Sequence, residues 1–435
     1  MCAVEDETRL SQMSPDHVTQ PLHTGLLFVP KKTKKARSRA VAPAARSAVL
    51  TNLRKRKMAR SAHAFVRGNT ARFYEWLHDD DQPSIPHGPA IWICGDCHIG
   101  NLGPVADDQG AVHIQIRDFD QSVIGNPAHD LIRLALSLAT VARGSDLPGI
   151  TTVRMIEAML AGYETAFPES DEEEPNIPPS IRLVMKRALR RNWKSLARER
   201  IDGVQPSFPA GKSFWTLTKR ERSAIAQLVT QPEIVELATQ LHHRDNDAHV
   251  SLLDAAYWRK GCSSLGKRRY AVLLDVDEET SGGEDLCLID IKEAVKSVAP
   301  HAPKVRMPRD NAKRVVEAAM HLSPALGHRM RAATLLDSQV FVRELLPQDL
   351  KLDINRMGRK QAMRVAMFLA SVVGRAHARQ MDVATRKTWR AELARNRTRT
   401  LDAPSWLWRS VTLLLARHEG EYLDHCRKYV AAEHR

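Results

Sequence analysis

Apolar and polar positions divide the chain into zones with different periods. Between residues 51 and 166 most apolar residues recur at helical spacing, and the segment 126–143 is apolar enough to predict a buried helix. Two shorter apolar runs, 90–94 and 111–119, interrupt this zone and predict strands around a polar turn, as a hairpin-like unit. From residue 250 the pattern becomes mostly strand-like before helical spacing returns. This order predicts an α+β protein.

The same zones predict four parts. Residues 1–50 are polar and then basic, lack a hydrophobic period and predict a flexible arm. Residues 51–249 predict a mainly helical part, 250–346 a small β-rich part, and 347–435 a set of C-terminal helices.

The net charge of the chain indicates which kinds of molecule it is suited to bind. The 435-residue chain has 65 Lys and Arg against 51 Asp and Glu, and this net charge of +14 favours anionic partners such as nucleotides or nucleic acids. The first residues are acidic and polar, and no segment contains 18 uncharged apolar residues in a row. We therefore expect a cytoplasmic protein that does not enter a membrane.

The stretch ICGDCHIGN (93–101) contains Cys94, Cys97 and His98 in the spacing Cys-x-x-Cys-His, by which c-type haem is attached. The lack of an export signal argues against haem. A structural zinc site needs four ligands, and no second ligand pair follows nearby. Ordinary packing near a strand end is the simpler interpretation of both cysteines.

The same stretch contains a second pattern. Asp96 precedes Asn101 by five positions, the interval between the catalytic Asp and the metal-binding Asn of a kinase catalytic loop. Asp118 and Asp120 follow at the end of the next predicted strand, where a kinase places its metal-binding Asp-Phe-Gly. These residues predict a general base, Asp96, and a magnesium site formed by Asn101, Asp118 and Asp120.

Each of these residues also has an ordinary interpretation, since Asp and Asn commonly form turns. His98 is a candidate base, ligand or loop-bracing hydrogen-bond donor, and bracing is favoured because Asp96 already suits the base role. Asp130 is a candidate cap of the helix that follows it.

The segment GCSSLGKR (261–268) resembles a phosphate loop, although Arg268 replaces the hydroxyl residue that binds magnesium. Because a strand follows instead of a helix, the segment fits better the glycine-rich loop between two kinase strands. Gly261, Ser263, Ser264 and Gly266 are the candidate phosphate contacts. A plain hairpin is the alternative.

The next predicted strand ends in IDIK, which is similar to the kinase VAIK strand and makes Lys292 the candidate ligand of nucleotide phosphates. Glu317, on the following helix, is the preferred acidic partner of Lys292, and Glu293 is its rival. Arg67 is a candidate phosphate or acceptor contact, or only a surface residue.

The chain resembles the bacterial "domain of unknown function 2252" family over about residues 55–380. The resemblance depends on KMARSAHAFVRGN, GDCHIGNLG, IRDFDQSVIGNPAHDLIRLALSL, GCSSLGKRRYAVLL, IKEAVKSV, FVREL and GRAHAR. The family looks like a distant relative of protein kinases and aminoglycoside phosphotransferases. That relationship implies catalytic-loop and metal roles for Asp96, His98, Asn101 and Asp118, and a structural role for Asp130. Gln121 replaces the last residue of the usual DFDE.

This resemblance implies a two-lobe protein-kinase-like fold in circularly permuted order, because the glycine-rich loop and Lys292 follow the catalytic loop. It requires Lys292 and Asp118 to lie in one cleft. The implied activity is ATP-dependent phosphotransfer, with ATP and Mg²⁺, to a hydroxyl of an unknown acceptor. The alternatives are AMP transfer by the same fold and a non-catalytic protein that binds nucleotide or nucleic acid through its basic runs. The sequence leaves the acceptor and the oligomeric state unknown.

Overall fold

The structure is a computed structural model. It describes residues 41–79, 83–144, 147–167, 176–190, 207–211, 213–240, 248–261, 265–276, 286–346, 358–395 and 403–429. Most of the predicted basic arm, together with Ser263 and Ser264, lies outside these ranges. Residues 38–435 belong to one compact unit.

Helices make up most of the described chain and precede and follow a β-rich segment, as the apolar pattern predicts. They are α1 (Pro43–Met58), α2 (Ala62–Gly68), α3 (Thr70–Trp76), α4 (Ala128–Arg143), α5 (Gly149–Glu164), α6 (Pro179–Leu189), α7 (Lys219–Val229), α8 (Pro232–Thr239), α9 (Asn311–Leu322), α10 (Pro324–Gly327), α11 (Arg359–Ala378), α12 (Val383–Ala394) and α13 (Ser405–Tyr429).

The strands form one large antiparallel sheet and two short ribbons. They are β1 (Ile91–Ile93), β2 (Leu102–Ala106), β3 (Val112–Ile116), β4 (Val123–Gly125), β5 (Phe214–Trp215), β6 (Val250–Trp258), β7 (Arg269–Val276), β8 (Leu286–Glu293), β9 (Met330–Leu335) and β10 (Ser338–Glu344). Within the described residues, the large sheet has the order β5-β6-β7-β8-β10-β9, and β1-β4 and β2-β3 form the ribbons. The α+β class is therefore confirmed.

Burial explains the sequence patterns of the central elements. Helix α4 is buried from Ala128 to Ala142, although Asp130, Arg133, Ser137 and Thr140 form a polar stripe at helical spacing along it. Strands β7 and β8 are buried almost throughout, which matches their continuous apolar runs. One face of the sheet packs on α7 and α8. None of the helices in the described ranges is long and apolar enough to cross a membrane.

Two local predictions were wrong. Strand β1 pairs with β4, and β3 pairs with β2, so the predicted strands at 90–94 and 111–119 are not hairpin partners. Pro104 within β2 obscured that strand, because proline is confined to strand edges, and β4 has only three residues. In addition, α1 begins at Pro43, so the predicted end of the arm at residue 50 falls inside a helix.

Candidate functional site

A lysine from the large sheet meets two aspartates from the loop that follows β3. Lys292 Nζ, on β8, lies 3.2 Å from Asp118 Oδ1 and 2.7 Å from Asp120 Oδ2. Lys292 is buried, and its ammonium also lies 5.6 Å from the ring centroid of Phe341 on β10. The structure thus brings together two residues separated by 174 positions.

A second lysine reaches the same carboxylate. Lys267 Nζ lies 3.2 Å from Asp120 Oδ2, and Lys267 comes from the loop between β6 and β7. Burial alone raises the pKa of Asp120, but the ammonium groups of Lys292 and Lys267 hold it well below its ordinary value. Asp120 is therefore ionised, and its buried Oδ1 has no hydrogen-bond partner in the described part of the chain.

The β6-β7 loop contains the glycines that the sequence singled out. Gly261 and Gly266 have φ values of 94° and 105°, which L-residues rarely adopt, so both positions need glycine. The carbonyl of Gly261 accepts a 2.8 Å hydrogen bond from Lys57 Nζ, and Gly266 directly precedes Lys267. Sequence reasoning missed Lys267 as a site residue, although the Gly-Lys pair of the phosphate-loop pattern contained it.

Asp96 and Asn101 belong to one tight loop between β1 and β2. A short 3-10 turn, Ile99–Asn101, folds the loop so that Asn101 Nδ2 donates to the carbonyl of Asp96 at 2.9 Å. This hydrogen bond leaves Asn101 Oδ1 as the acceptor end of the amide. The Asp96 side chain is buried, and its Oδ1 accepts from Arg133 Nε at 2.9 Å. Burial raises the pKa of Asp96, although the Arg133 guanidinium opposes this shift.

His98 lies beside Asp96 without a direct hydrogen bond to it. His98 Nε2 is 3.8 Å from Asp96 Oδ2, and the buried Nδ1 has no hydrogen-bond partner among the described residues. Burial lowers the pKa of His98 well below its ordinary value, and the nearby guanidiniums of Arg67 and Arg133 lower it further. The imidazole is therefore neutral at pH 7.

Asp130 holds the backbone of the loop between β1 and β2 in place. Its carboxylate accepts hydrogen bonds from the amides of Cys94 and Gly95, at 2.7 and 2.9 Å. The same carboxylate lies 3.2 Å from His377 Nε2 near the end of α11, and His377 Nδ1 is 2.9 Å from the Tyr163 hydroxyl. The GRAHAR segment thus packs against the loop, and Asp130 positions the loop backbone.

Glycine at position 95 is required by this packing. Gly95 has φ of +71°, and a Cβ there would lie 2.1 Å from the carbonyl oxygen of Gln121. The flanking Cys94 and Cys97 side chains are free thiols packed in the main apolar core. Among the described residues, no group of three or more His, Cys, Asp and Glu side chains is arranged to hold a metal ion.

The predicted partnership of Lys292 with Glu317 was wrong. Glu317 is exposed on α9, whose inward positions carry Arg314 instead. Arg314 Nη2 donates at 3.0 Å to the carbonyls of Asp120 and Val295, so α9 fixes the backbone around the aspartates. The carboxylates beside Lys292 are those of Asp118 and Asp120. The rival Glu293 accepts from the amide of Arg268 at 2.8 Å.

Arg67 lies against the loop between β1 and β2. A Cβ at Gly100 would lie 2.7 Å from Arg67 Cζ, so the guanidinium packs directly over that glycine. Arg67 is only partly exposed, and its Nε is a buried donor without a partner in the described ranges. The structure therefore places Arg67 at Gly100 and near His98, on the loop that also contains Asp96, and makes it more than a surface residue.

The oxygen atoms near Lys292 suit a hard divalent cation. Asp118 and Asp120 are carboxylates, and the Asp118 side chain is one third exposed at 33%. The backbone carbonyl of Asn101 accepts from the amide of Arg117 at 2.8 Å, which joins the neighbouring loop to the segment that leads to Asp118. Magnesium prefers such oxygen ligands. The unpartnered Oδ1 of Asp120 is an acceptor of the same kind. The oxygen chemistry of these carboxylates, with the amide of Asn101, is of the kind that suits magnesium.

Comparison with known proteins gives a family and no activity. No curated protein and no solved structure matches the chain. The profile of a family described as "Uncharacterized protein conserved in bacteria (DUF2252)" matches residues 46–428, which is most of the chain. The chain belongs to this bacterial family.

Proposed function

We propose that the protein is an ATP-dependent phosphotransferase with a circularly permuted kinase-like fold. The observation that carries this proposal is the 3.2 Å separation of Lys292 Nζ and Asp118 Oδ1. In a protein kinase, a lysine on the third strand of the small lobe and an aspartate after the catalytic loop act on the same nucleotide. Here the two residues come from the corresponding kinds of element.

The order of elements in the sheet supports the proposal. The β6-β7 hairpin has positive-φ glycines in its loop, β8 carries Lys292, and α9 separates β8 from β9 and β10. A kinase small lobe likewise has a glycine-rich loop, then the lysine strand, then a helix. The chain next enters α11, and the His377–Asp130 contact joins this later part to the loop that contains Asp96.

Asp96 is the proposed general base. One of its oxygens is held by Arg133, and its raised pKa makes the carboxylate a better proton acceptor. The acceptor hydroxyl oxygen attacks the γ-phosphorus, the bond from that phosphorus to the β,γ-bridging oxygen breaks, and the hydroxyl proton passes to Asp96. ADP leaves with the bridging oxygen and its electron pair.

Lys292 and Lys267 are the proposed phosphate ligands. Both ammonium groups contact Asp120, so they form a positively charged pair at one place in the cleft. Asn101, Asp118 and Asp120 would hold magnesium, which neutralises phosphate charge during transfer. Asp120 also takes the position beside Lys292 that sequence reasoning gave to Glu317.

Thermal unfolding with Mg-ATP tests the proposal. At about a hundredfold excess over Kd, binding should stabilise the wild type by roughly 2.7 kcal/mol. Asp118→Asn should lose most of this shift, whereas Asp424→Asn, whose parent carboxylate is exposed beside Arg427, should keep it. No shift in the wild type would contradict nucleotide binding. ATP labelled in the γ or the α phosphate then tests the reaction, because transfer of the α label would show AMP transfer.

A further inference from the structure

Two guanidinium and two imidazole groups gather beside Asp96. They belong to His63 and Arg67 on α2, His98 in the catalytic loop, and Arg133 on α4. Each has a buried nitrogen without a hydrogen-bond partner among the residues the structure describes: His63 Nδ1, Arg67 Nε, His98 Nδ1 and Arg133 Nη1. His98 and Arg133 are only 3% and 0% exposed, so their unpaired nitrogens are well inside the protein.

Hydrogen bonds fix the arrangement around Asp96. Arg133 Nε contacts Asp96 Oδ1 at 2.9 Å, while its Nη2 donates to the carbonyl of Val66 at 2.6 Å. Val66 precedes Arg67, whose guanidinium packs over Gly100 in the same loop as Asp96. The two guanidiniums therefore approach the catalytic loop from α2 and α4.

The cluster has an excess of positive charge. Arg133 pairs with the carboxylate of Asp96, and the guanidinium of Arg67 packs on the same loop at Gly100, so two cations adjoin this one carboxylate-bearing loop. Burial, with Arg67 and Arg133, lowers the pKa of His63 to about 4 and that of His98 well below its ordinary value. Both imidazoles are thus neutral at pH 7 and offer hydrogen bonds without further charge.

Unpaired buried donors are costly, because each loses its hydrogen bonds to water on folding. Arg67 Nε and Arg133 Nη1 are donors in every protonation state, and two such unpaired donors beside an excess of positive charge indicate a bound anion. Guanidinium groups suit the several oxygens of a phosphate especially well.

We propose that His63, Arg67, His98 and Arg133 form an acceptor subsite that binds a phosphate group of the acceptor substrate. The acceptor is then a phosphorylated compound with a free hydroxyl, and the subsite holds this compound where Asp96 can take the hydroxyl proton. This inference rests on the proposed phosphotransferase function, because that function assigns the base role to Asp96.

Calorimetric titration of the full chain with inorganic phosphate tests the subsite. We expect the wild type to bind phosphate, Arg67→Gln to weaken binding at least about tenfold, and Arg67→Lys to weaken it less because the charge remains. Arg154→Gln is the matched control, since Arg154 is exposed and pairs with Glu157 on α5. Thermal unfolding of each variant without ligand shows whether it is folded.

Three results would overturn the inference: no phosphate binding by the wild type, equal binding by the wild type and folded Arg67→Gln, or tighter binding of acetate than of phosphate. A parallel titration uses protein saturated with magnesium and a non-hydrolysable ATP analogue. The nucleotide-saturated protein should bind phosphate with the same affinity as the free protein. A loss of phosphate affinity would mean that a nucleotide phosphate occupies the cluster, which would contradict the acceptor assignment. If the analogue does not bind but phosphate binding depends on Arg67, the proposed function fails and the anion site stands.

Discussion

His377 Nε2 lies 3.2 Å from Asp130 Oδ2, and this buried contact joins the end of α11 to the first turn of α4. The two residues are 247 positions apart. The Asp130 carboxylate also accepts hydrogen bonds from the backbone amides of Cys94 and Gly95. The contact therefore links α11, which follows the large sheet in the chain, to the β1-β2 loop, which precedes that sheet.

Loss of the Asp130 carboxylate should therefore loosen the loop between β1 and β2. We expect Asp130→Ala to lower the free energy of unfolding by about 3 kcal/mol, because two buried amides and His377 lose their acceptor. Urea unfolding measures this change. The exposed substitution Asp424→Ala should cost less than about 0.5 kcal/mol. Equal effects of the two substitutions would contradict the positioning role of Asp130.

Gly95 should tolerate no side chain, because a side chain there would both require an unfavourable backbone conformation and clash with neighbouring backbone. Gly110 is the control, because at that position only the backbone conformation is unfavourable. Both glycines have positive φ. A Cβ at Gly95 would lie 2.1 Å from the carbonyl oxygen of Gln121, whereas a Cβ at Gly110 would have no atom within 4 Å among the described residues. Gly110→Ala should thus cost only the conformational penalty of about 1 kcal/mol. Gly95→Ala should lower the free energy of unfolding by more than about 3 kcal/mol, because the backbone around Gln121 must move to make room for the Cβ. Comparable unfolding free energies for the two variants would refute the close approach.

Substitution of Lys267 should weaken Mg-ATP binding much more than substitution of Glu317. Lys267 contacts Asp120, whereas Glu317 is exposed on α9. We expect Lys267→Met to weaken Mg-ATP binding about tenfold, which corresponds to about 1.4 kcal/mol, and Glu317→Gln to change it less than about twofold. Equilibrium binding with a fluorescent ATP analogue measures both. A large loss in Glu317→Gln alone would restore the kinase-type partnership that the sequence favoured.

The pH dependence of stability should reveal the Asp120 ion pairs. Lys292 and Lys267 hold the pKa of Asp120 below its ordinary value of 3.8 despite burial. Its ionised form therefore stabilises the folded state above pH 3.8, and this contribution is lost as the pH falls further. The difference in unfolding free energy between wild type and Asp120→Asn should shrink from about pH 5 to about pH 2.5. A difference that stays constant would show that Asp120 gains nothing from the lysines.

Local spacing predicted much of the candidate site, because Asp96, Asn101 and Asp118 lie on neighbouring segments of one short stretch. The Asn101 hydrogen bond to Asp96 spans only five positions. Lys292 could be singled out because its strand ends in IDIK, which is similar to the kinase VAIK strand. Contacts between distant segments were harder, so Lys267 was overlooked, and Arg133 was overlooked although it is a lone charge within the apolar segment LIRLALSLA.

The error at Glu317 was avoidable from the sequence. Ala312, Val315, Ala319 and Leu322 recur at helical spacing and define the buried face of α9. Glu317 falls off that face, whereas Arg314 lies within it. Glu317 was chosen because it is acidic, although the helical spacing of the buried residues places it on the exposed face of α9.

The most direct test of the central claim is a double-mutant cycle on Mg-ATP binding by calorimetry, with Lys292→Met, Asp118→Asn and both together. If both residues act on one nucleotide, each single variant should lose at least about tenfold in affinity. Their effects should then deviate from additivity by more than about 0.5 kcal/mol. Failure of the wild type to bind Mg-ATP, or single variants that bind as tightly as the wild type, would contradict the account.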